Sequence, residues 1–215
     1  MNIQFFSNNQ PNLIVFFAGW SVSPSIVTHL KLPSNYDLLI CYNYAEMNLD
    51  FDFSVYDAVH LVAWSMGVWV AERVMQSIPI KTATAVNGTG FPIDDRFGIP
   101  CDIFTGTLAN LDNITRSKFE FRMCGSKENF NQYQRLVNPR TLADIRQELA
   151  ILYERIKSDR RTDLINWSNA IISRQDRIFN PCNQLNYWKQ RSSVQLTDGE
   201  HYLFPQFTSW KQLWQ

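Results

Sequence analysis

The strongest constraint on the fold is an apolar run that ends in a serine between small residues and is followed at once by a helix-like segment. Residues 59–64 are almost wholly apolar, which is typical of a strand buried on both faces of a sheet. The apolar positions after the serine recur at helical spacing: Val68, Ala71, Val74 and Met75. So abrupt a change of direction strains the backbone at Ser65 and leaves room only for small side chains two positions away, where Ala63 and Gly67 stand. The stretch therefore predicts a strand, a sharp turn at Ser65 and a helix.

The sequence Ala-Trp-Ser-Met-Gly over residues 63–67 matches the G-x-S-x-G nucleophile elbow, with alanine in the first small position. Such a turn presents the Ser65 hydroxyl for attack, and the N–H of Met66 at the helix start can bind an oxyanion above it. A motif this short also occurs by chance, so an ordinary strand-to-helix connection is the alternative. The flanking strand and helix patterns favour the elbow.

A serine nucleophile needs a base, and the chain has three histidines. His60 lies inside the apolar strand before Ser65, where a core histidine with a backbone partner is expected. His29 lies in the first predicted helix, where a packed or surface histidine is ordinary. His201 follows the last predicted strand, and sites in open α/β sheets form beyond the carboxyl ends of strands. We therefore predict His201 as the base.

The base needs an acid that fixes its tautomer. Asp176 stands where the penultimate predicted strand runs into a turn, whereas Asp198 lies only three residues before His201. An acid so near in sequence is better suited to shaping the His201 turn, so Asp176 is the predicted partner. A second oxyanion donor is expected from the N–H of Trp20, after an apolar run that ends at Gly19. A simple turn with a packed indole is the alternative for Trp20.

The order of strand-like and helix-like segments predicts an α/β fold with a mostly parallel, doubly wound sheet. Residues 3–6 and 12–19 suit strands covered on both faces, and Ser23 and Pro24 can begin a short helix that ends near residue 33. From residue 91 to 162 the periodicity is helical, and Thr141 can cap the clearest helix. Its apolar stripe comprises Leu142, Ile145, Leu149, Leu152 and Ile156. The predicted division is a core over residues 1–90 and 163–215 with a helical cap segment, residues 91–162, inserted between them.

Composition indicates one globular domain, with 45% hydrophobic and 19% charged residues. The start of the chain shows no basic leader, and the longest apolar run is too short to span a bilayer. The four cysteines are far apart, without C-x-x-C or histidine at metal-ligand spacing: Cys41, Cys101, Cys124 and Cys182. Free thiols in a reducing cytoplasm are therefore expected, with no metal site.

Charge is unevenly distributed along a chain whose net charge is zero. Residues 113–161 carry eleven Lys and Arg against six Asp and Glu, a net charge of +5, and the remainder carries −5. A solvated helical face explains many charge runs. A one-sided excess also suits an acidic partner, and both interpretations stay open at this point.

Together these motifs resemble α/β-hydrolases along nearly the whole chain: the strand that ends Phe-Phe-Ala-Gly-Trp at residue 20, the elbow at Ser65, the Asp176 turn and Asp-Gly-Glu-His at residue 201. Their order, Ser65, Asp176 and His201, is the one that α/β-hydrolases use. More narrowly, the chain resembles the BioG type of pimeloyl-[acyl-carrier protein] methyl ester esterase. Two further segments add to this resemblance: Phe-Gly-Ile-Pro at residues 97–100 and Arg-Met-Cys-Gly at residues 122–125. Alanine at the first elbow position departs from the pattern. The short N-terminus is expected to lack the first antiparallel strands of larger hydrolases.

The resemblance implies hydrolysis of the methyl ester at the far end of a pimeloyl chain on acyl carrier protein, with release of methanol, in biotin synthesis. Nucleophile, acid and base would be Ser65, Asp176 and His201, with Trp20 and Met66 as oxyanion donors and no metal or organic cofactor. We expect a cytoplasmic monomer that binds neither nucleic acid nor membrane. The candidate residues for docking the acidic carrier protein are in the cap segment: Arg135, Arg140, Arg155 and Arg160. A thioesterase, a short-chain esterase and a non-catalytic binding protein are the alternatives.

Overall fold

The computed structural model describes residues 1–214, and within them the strands form one sheet with the order β1-β3-β2-β4-β5-β6-β7. Its strands are β1 (Asn2–Phe6), β2 (Asn12–Phe17), β3 (Tyr36–Tyr42), β4 (Ala58–Trp64), β5 (Thr82–Val86), β6 (Asn169–Ser173) and β7 (Ser193–Thr197). Strands β2 to β7 are parallel, and β1 pairs antiparallel with β3. The predicted mostly parallel sheet is therefore confirmed.

The helices fall into two groups. Helix α1 (Met66–Val74) follows β4, and α6 (Pro181–Trp188) joins β6 to β7. Four helices lie between β5 and β6, inside the cap segment: α2 (Cys101–Ala109), α3 (Asn113–Cys124), α4 (Lys127–Tyr133) and α5 (Leu142–Ser158). Helix α5 begins as predicted, because the Thr141 side chain accepts a hydrogen bond from the Asp144 N–H at 3.2 Å. No helix within residues 1–214 is long and apolar enough to cross a lipid bilayer.

Both faces of the central strands are covered, as their apolar sequences require. Successive residues of β2 alternate between two hydrophobic clusters, so that Val15 and Phe17 contribute to one and Ile14 and Phe16 to the other. The first cluster includes α1, α5 and α6. The second includes three short 3₁₀ helices, at Pro24–Ile26, Phe204–Gln206 and Trp210–Leu213.

The sheet is continuous across the cap segment through the ladder between β5 and β6. That ladder pairs three residues on each side, Thr84 with Asn169, Ala85 with Ala170 and Val86 with Ile171. By comparison, the β4–β5 ladder pairs five. The two parts of the core that flank the cap segment are therefore joined by a short stretch of strand pairing.

Three expectations for the N-terminal region are wrong. All five residues of β1 are exposed, so this strand is an uncovered edge rather than a buried strand. Because β1 is antiparallel to β3, the chain does not lack such a strand. The first predicted helix is only the 3₁₀ turn Pro24–Ile26, and the Ser23 hydroxyl donates a hydrogen bond to the Val137 carbonyl, at 2.8 Å, instead of capping it.

Candidate active site

Ser65 stands at a strained turn between β4 and α1. Its backbone has φ 59° and ψ −127°, a left-handed conformation that is costly for a non-glycine residue. The requirement for a small residue at position 67 is steric, because a β-carbon on Gly67 would lie 2.5 Å from the carbonyl oxygens of Phe17 and Ala18. The turn therefore has the backbone of the predicted elbow, and its serine side chain faces the carboxyl edge of the sheet.

The structure brings Ser65, His201 and Asp176 together. His201 Nε2 lies 3.0 Å from Ser65 Oγ, and His201 Nδ1 lies 2.9 Å from Asp176 Oδ2. All three residues are at least nine-tenths buried. Since a carboxylate only accepts, the Nδ1–H donates to Asp176, which leaves Nε2 free to accept the Ser65 proton. This geometry can activate a serine hydroxyl for attack on a carbonyl carbon.

Both oxygens of Asp176 are fully engaged. Oδ1 accepts from the N–H groups of Ile178 and Phe179, at 2.8 and 2.9 Å. Oδ2 accepts from the Gln184 side chain, at 3.1 Å, as well as from His201. These donors fix the orientation of the carboxylate toward the imidazole.

The His201 loop is held on several sides. The ring of Phe179 stacks parallel to the imidazole, with centroids 5.9 Å apart. The Trp64 indole N–H donates to the His201 carbonyl oxygen at 2.9 Å, from the last residue of β4. His201, the predicted base, is therefore anchored to the strand that leads into Ser65.

The other residues considered for these roles lie elsewhere. His60 contacts Thr82 Oγ1 at 2.7 Å, a side-chain rather than a backbone partner, and burial lowers its pKa. His29 Nε2 lies 3.0 Å from the Phe204 carbonyl. Asp198 is exposed and pairs with Arg174 at 3.5 Å. Within residues 1–214, no three His, Cys, Asp or Glu side chains come together as a metal site.

The turn after β2 lies directly over Ser65. A β-carbon on Gly19 would stand 2.9 Å from the Trp64 ring and 3.2 Å from Ser65 Cβ, so only glycine permits this approach. Trp20 follows, and its indole N–H donates to the Ile145 carbonyl of α5 at 2.9 Å. Met66 is the first residue of α1, where backbone N–H groups have no partner within the helix. Both N–H groups predicted as oxyanion donors thus belong to segments next to Ser65.

A largely apolar pocket adjoins Ser65. Cap helices α2, α3 and α5 contribute Ile103, Phe104, Phe119 and Leu149 to its lining, and Trp20 and Ile178 close the core side. Arg122 and Arg177 also line it. The pocket suits an aliphatic chain whose reacting carbonyl lies at Ser65, with positive charge beside it.

The four cap arginines have different environments. Arg135 is exposed, and Arg160 is half exposed and pairs with Asp94 at 2.9 Å. Arg155 is partly buried and donates to the Tyr44 carbonyl at 3.0 Å. Arg140 is buried, which is inconsistent with its predicted role in docking a carrier protein.

Arg140 instead belongs to a buried ion pair beneath the turn that follows β2. Its Nη1 donates to Glu148 Oε2 at 2.7 Å, and its Nε donates to Asp144 at 2.7 Å. Glu148 is fully buried and also accepts from the Tyr44 N–H at 2.8 Å and, more weakly, from the Ser21 N–H at 3.5 Å. The pair therefore ties α5 to the loops after β2 and β3.

Sequence reasoning missed several residues around the site. Gln184 and Asn87 are buried polar side chains within hydrogen-bond distance of Asp176 and of the His201 main chain. Arg122 and Arg177 line the pocket without having been predicted to do so. No local motif marks these residues. The one available signal was that Asn87 ends a strand-like apolar segment at the same sheet edge as Ser65.

Comparison with known proteins identifies BioG and other proteins of the same fold as relatives. The crystal structure of BioG from Haemophilus influenzae is 54% identical, each chain covers 100% of the other, and the TM-score is 0.98. A putative aryl esterase from Burkholderia cenocepacia shares the fold, with 17% identity, a TM-score of 0.63 and coverage of 93% of this chain and 86% of that one.

A Bacteroides fragilis protein named malonyl-[acyl-carrier protein] O-methyltransferase is 43% identical over 195 residues, which are 88% of this chain and 39% of that protein. The family model described as pimeloyl-ACP methyl esterase BioG matches residues 1–213. With an α/β-hydrolase fold, a buried Ser-His-Asp arrangement and a match over almost its full length, the chain belongs to the BioG family of pimeloyl-ACP methyl esterases.

Proposed function

We propose that the protein is a serine carboxylesterase that hydrolyses the methyl ester of pimeloyl-[acyl-carrier protein] to release methanol. The observation that carries the proposal is a buried chain of hydrogen bonds beside an apolar pocket. It runs from Ser65 to His201, at 3.0 Å, and from His201 to Asp176, at 2.9 Å. The apolar lining of the pocket supports an aliphatic chain as its occupant, and the family model supports the carrier-bound ester as the substrate class.

In the proposed mechanism His201 Nε2 takes the proton of Ser65 as Oγ attacks the ester carbonyl carbon. The N–H groups of Trp20 and Met66 bind the oxyanion, and Asp176 stabilises the imidazolium. The tetrahedral intermediate collapses, and His201 returns the proton to the departing methanol oxygen. Water then attacks the acyl-enzyme with His201 again as base, which releases the free carboxylate and restores Ser65.

The name of the Bacteroides relative adds support for a carrier-bound methyl ester. That name specifies methylation of malonyl-[acyl-carrier protein], and a methyl ester on a carrier-bound diacid is the kind of bond that an esterase of this family would hydrolyse. Because the chain matches only 39% of that protein, we do not carry the transferase activity over.

The test is incubation with pimeloyl-carrier methyl ester followed by mass spectrometry of the carrier protein. We expect loss of the methyl group with the thioester intact. The variant Ser65→Ala should lower kcat by up to roughly a million-fold, since it removes the nucleophile, while leaving substrate binding in place.

Other outcomes would replace the proposal. Release of free carrier thiol would make the protein a thioesterase, because the same three side chains serve either carbonyl. Turnover of p-nitrophenyl esters alone would leave a short-chain esterase without the carrier assignment. Binding without any turnover, unchanged in Ser65→Ala, would indicate a non-catalytic binding protein.

A further inference from the structure

Asn87 is a buried side chain at the carboxyl end of β5 that the mechanism above does not use. It is 1% exposed and has a φ of 45°, a left-handed conformation that asparagine tolerates better than most residues. Its main-chain N–H donates to the Ile171 carbonyl of β6 at 3.0 Å, so its backbone is fixed within the sheet. The side chain therefore projects from a rigid position.

The amide of Asn87 bonds to two segments that carry the acid and the base. Its Nδ2 donates to the carbonyl oxygen of His201 at 3.0 Å and to that of Glu200 at 3.2 Å. Nδ2 also lies 2.8 Å from Ser173 Oγ, so its two hydrogens are shared among three acceptors, and Oδ1 accepts from the Ser173 N–H at 2.8 Å. One side chain thus joins the end of β6, three residues before Asp176, to the loop of the base.

The chemistry of these partners fixes the orientation of the amide. Main-chain carbonyl oxygens only accept, so Nδ2 must face His201 and Glu200. The Ser173 main-chain N–H only donates, so Oδ1 must face it. A carboxylate in this position would direct oxygen at two carbonyl oxygens in a buried site, which is unfavourable.

Asn87 is also coupled to the nucleophile. The Ser65 main-chain N–H donates to the carbonyl of Val86, the residue before Asn87, at 2.9 Å. In addition, the His201 carbonyl oxygen accepts from two residues near the serine. Asn87 follows β5, and Trp64 ends β4 and precedes Ser65. Two adjacent strand ends hold the base at a fixed distance from the serine.

We propose that Asn87 is a positioning residue that fixes the distance between His201 Nε2 and Ser65 Oγ by holding the His201 main chain. The inference rests on the proposed roles of Ser65 and His201. It concerns the separation of nucleophile and base and is independent of which ester occupies the pocket.

The test compares Asn87→Asp and Asn87→Gly with wild type on a p-nitrophenyl ester and on the carrier-bound ester. Both variants tolerate the positive φ, and the glycine variant avoids the buried charge. Displacement of the base should lower kcat about 100-fold on both substrates with KM unchanged. The matched control is Thr84→Val, since Thr84 is a fully buried residue of the same strand whose hydroxyl has no partner within residues 1–214.

A second readout does not depend on turnover. The His201 Nδ1 proton, bonded to Asp176, should give a far-downfield proton NMR signal in wild type and in Thr84→Val, and the signal should shift upfield or disappear in both Asn87 variants. Folded Asn87 variants with wild-type kcat and an unshifted signal would overturn the proposal while leaving the proposed function intact. If wild type cleaves neither ester, the proposed function fails and the NMR comparison still decides the role of Asn87.

Discussion

Glu72 is a fully buried carboxyl group two turns along α1 from Ser65. It accepts from the Trp167 indole N–H at 2.9 Å and from Arg73 at 3.2 Å. Burial is the main influence and raises the pKa of Glu72 from 4.5 to about 7, although the Trp167 bond and the Arg73 charge oppose it. The folded protein therefore favours the neutral acid, whereas the unfolded chain ionises near the ordinary value.

This shift predicts that the contribution of Glu72 to stability decreases as pH rises. Below about pH 4.5 the group is protonated in both states and carries no penalty, and above about pH 7 the folded state holds a buried charge. Between pH 5 and 8 the free energy of unfolding of wild type should fall by about 2.5 kcal/mol relative to Glu72→Gln.

Urea unfolding of both proteins at a series of pH values measures the difference. Glu154→Gln, which removes an exposed carboxyl group from α5, provides the control. Parallel stability curves for wild type and Glu72→Gln would contradict the assignment.

At the scale of single residues, a site residue can be predicted from the sequence when its chemistry requires particular residues at fixed positions near it in the chain. Ser65 was predictable because the elbow requires small residues at fixed offsets. His201 was selected because only three histidines exist and only one follows a strand end. Asn87 and Gln184 were not predictable, because their partners are main-chain or carboxylate atoms brought close only by the sheet.

Among the elements, α5 determines how the cap segment is attached to the core. Its Glu148 is fully buried and pairs with Arg140, which lies two residues before the helix begins. The Trp20 indole bonds to the same helix. The orientation of the turn that carries Trp20 therefore depends on a buried ion pair rather than on apolar packing alone.

Arg140→Met should destabilise the protein by about 3–5 kcal/mol, because the buried Glu148 carboxyl would lose the cation that offsets its desolvation. Adding Glu148→Gln should recover part of that loss, since glutamine still accepts from the Tyr44 N–H. Chemical unfolding of the single and double variants measures both effects. Lys157→Met, on an exposed face of α5, is the control, and an Arg140→Met loss no larger than that of the control would disprove the role of the pair.

Elements were predictable where packing repeats along the sequence. The α5 stripe repeats with the period of a helix, and the buried strands are short continuous apolar runs bounded by turns. The prediction of a buried strand at β1 is wrong: Ile3, Phe5 and Phe6 suggest burial, but Asn2 and Gln4 interrupt the apolar run and all five residues are exposed. The first helix was overestimated because Ser23 and Pro24 are good start signals, but the Ser23 hydroxyl bonds to Val137 of the distant cap segment.

For the whole molecule, the uneven distribution of charge is the feature that bears on binding of a partner protein. The excess of positive charge lies in residues 113–161, and the pocket beside Ser65 is lined by cap helices from the same region. With Arg140 buried, the exposed Arg135 and Arg160 are the docking candidates that the structure leaves most accessible. We propose that they attract an acidic carrier protein.

Arg135→Glu combined with Arg160→Glu should lower kcat/KM on the carrier-bound ester roughly tenfold at low ionic strength, with a smaller effect as salt is added. Hydrolysis of a p-nitrophenyl ester should stay at the wild-type rate, because the small substrate needs no docking. Lys81→Glu, just before the amino end of β5 and away from the pocket, is the control; it reverses one exposed charge outside the cap segment. Equal losses on both esters, or none on either, would exclude these arginines from docking.

The short β5–β6 ladder affects the stage of folding at which Ser65, Asp176 and His201 come together. Ser65 precedes the cap segment, whereas Asp176 and His201 follow it, and the two interacting side chains Ser65 and His201 are 136 positions apart. Strand pairing across a connection this long closes slowly, because the entropy of the loop must be overcome before any contact offsets it. In a nascent or partly folded chain Ser65 is therefore apart from Asp176 and His201, and the three side chains meet only once the sheet has closed.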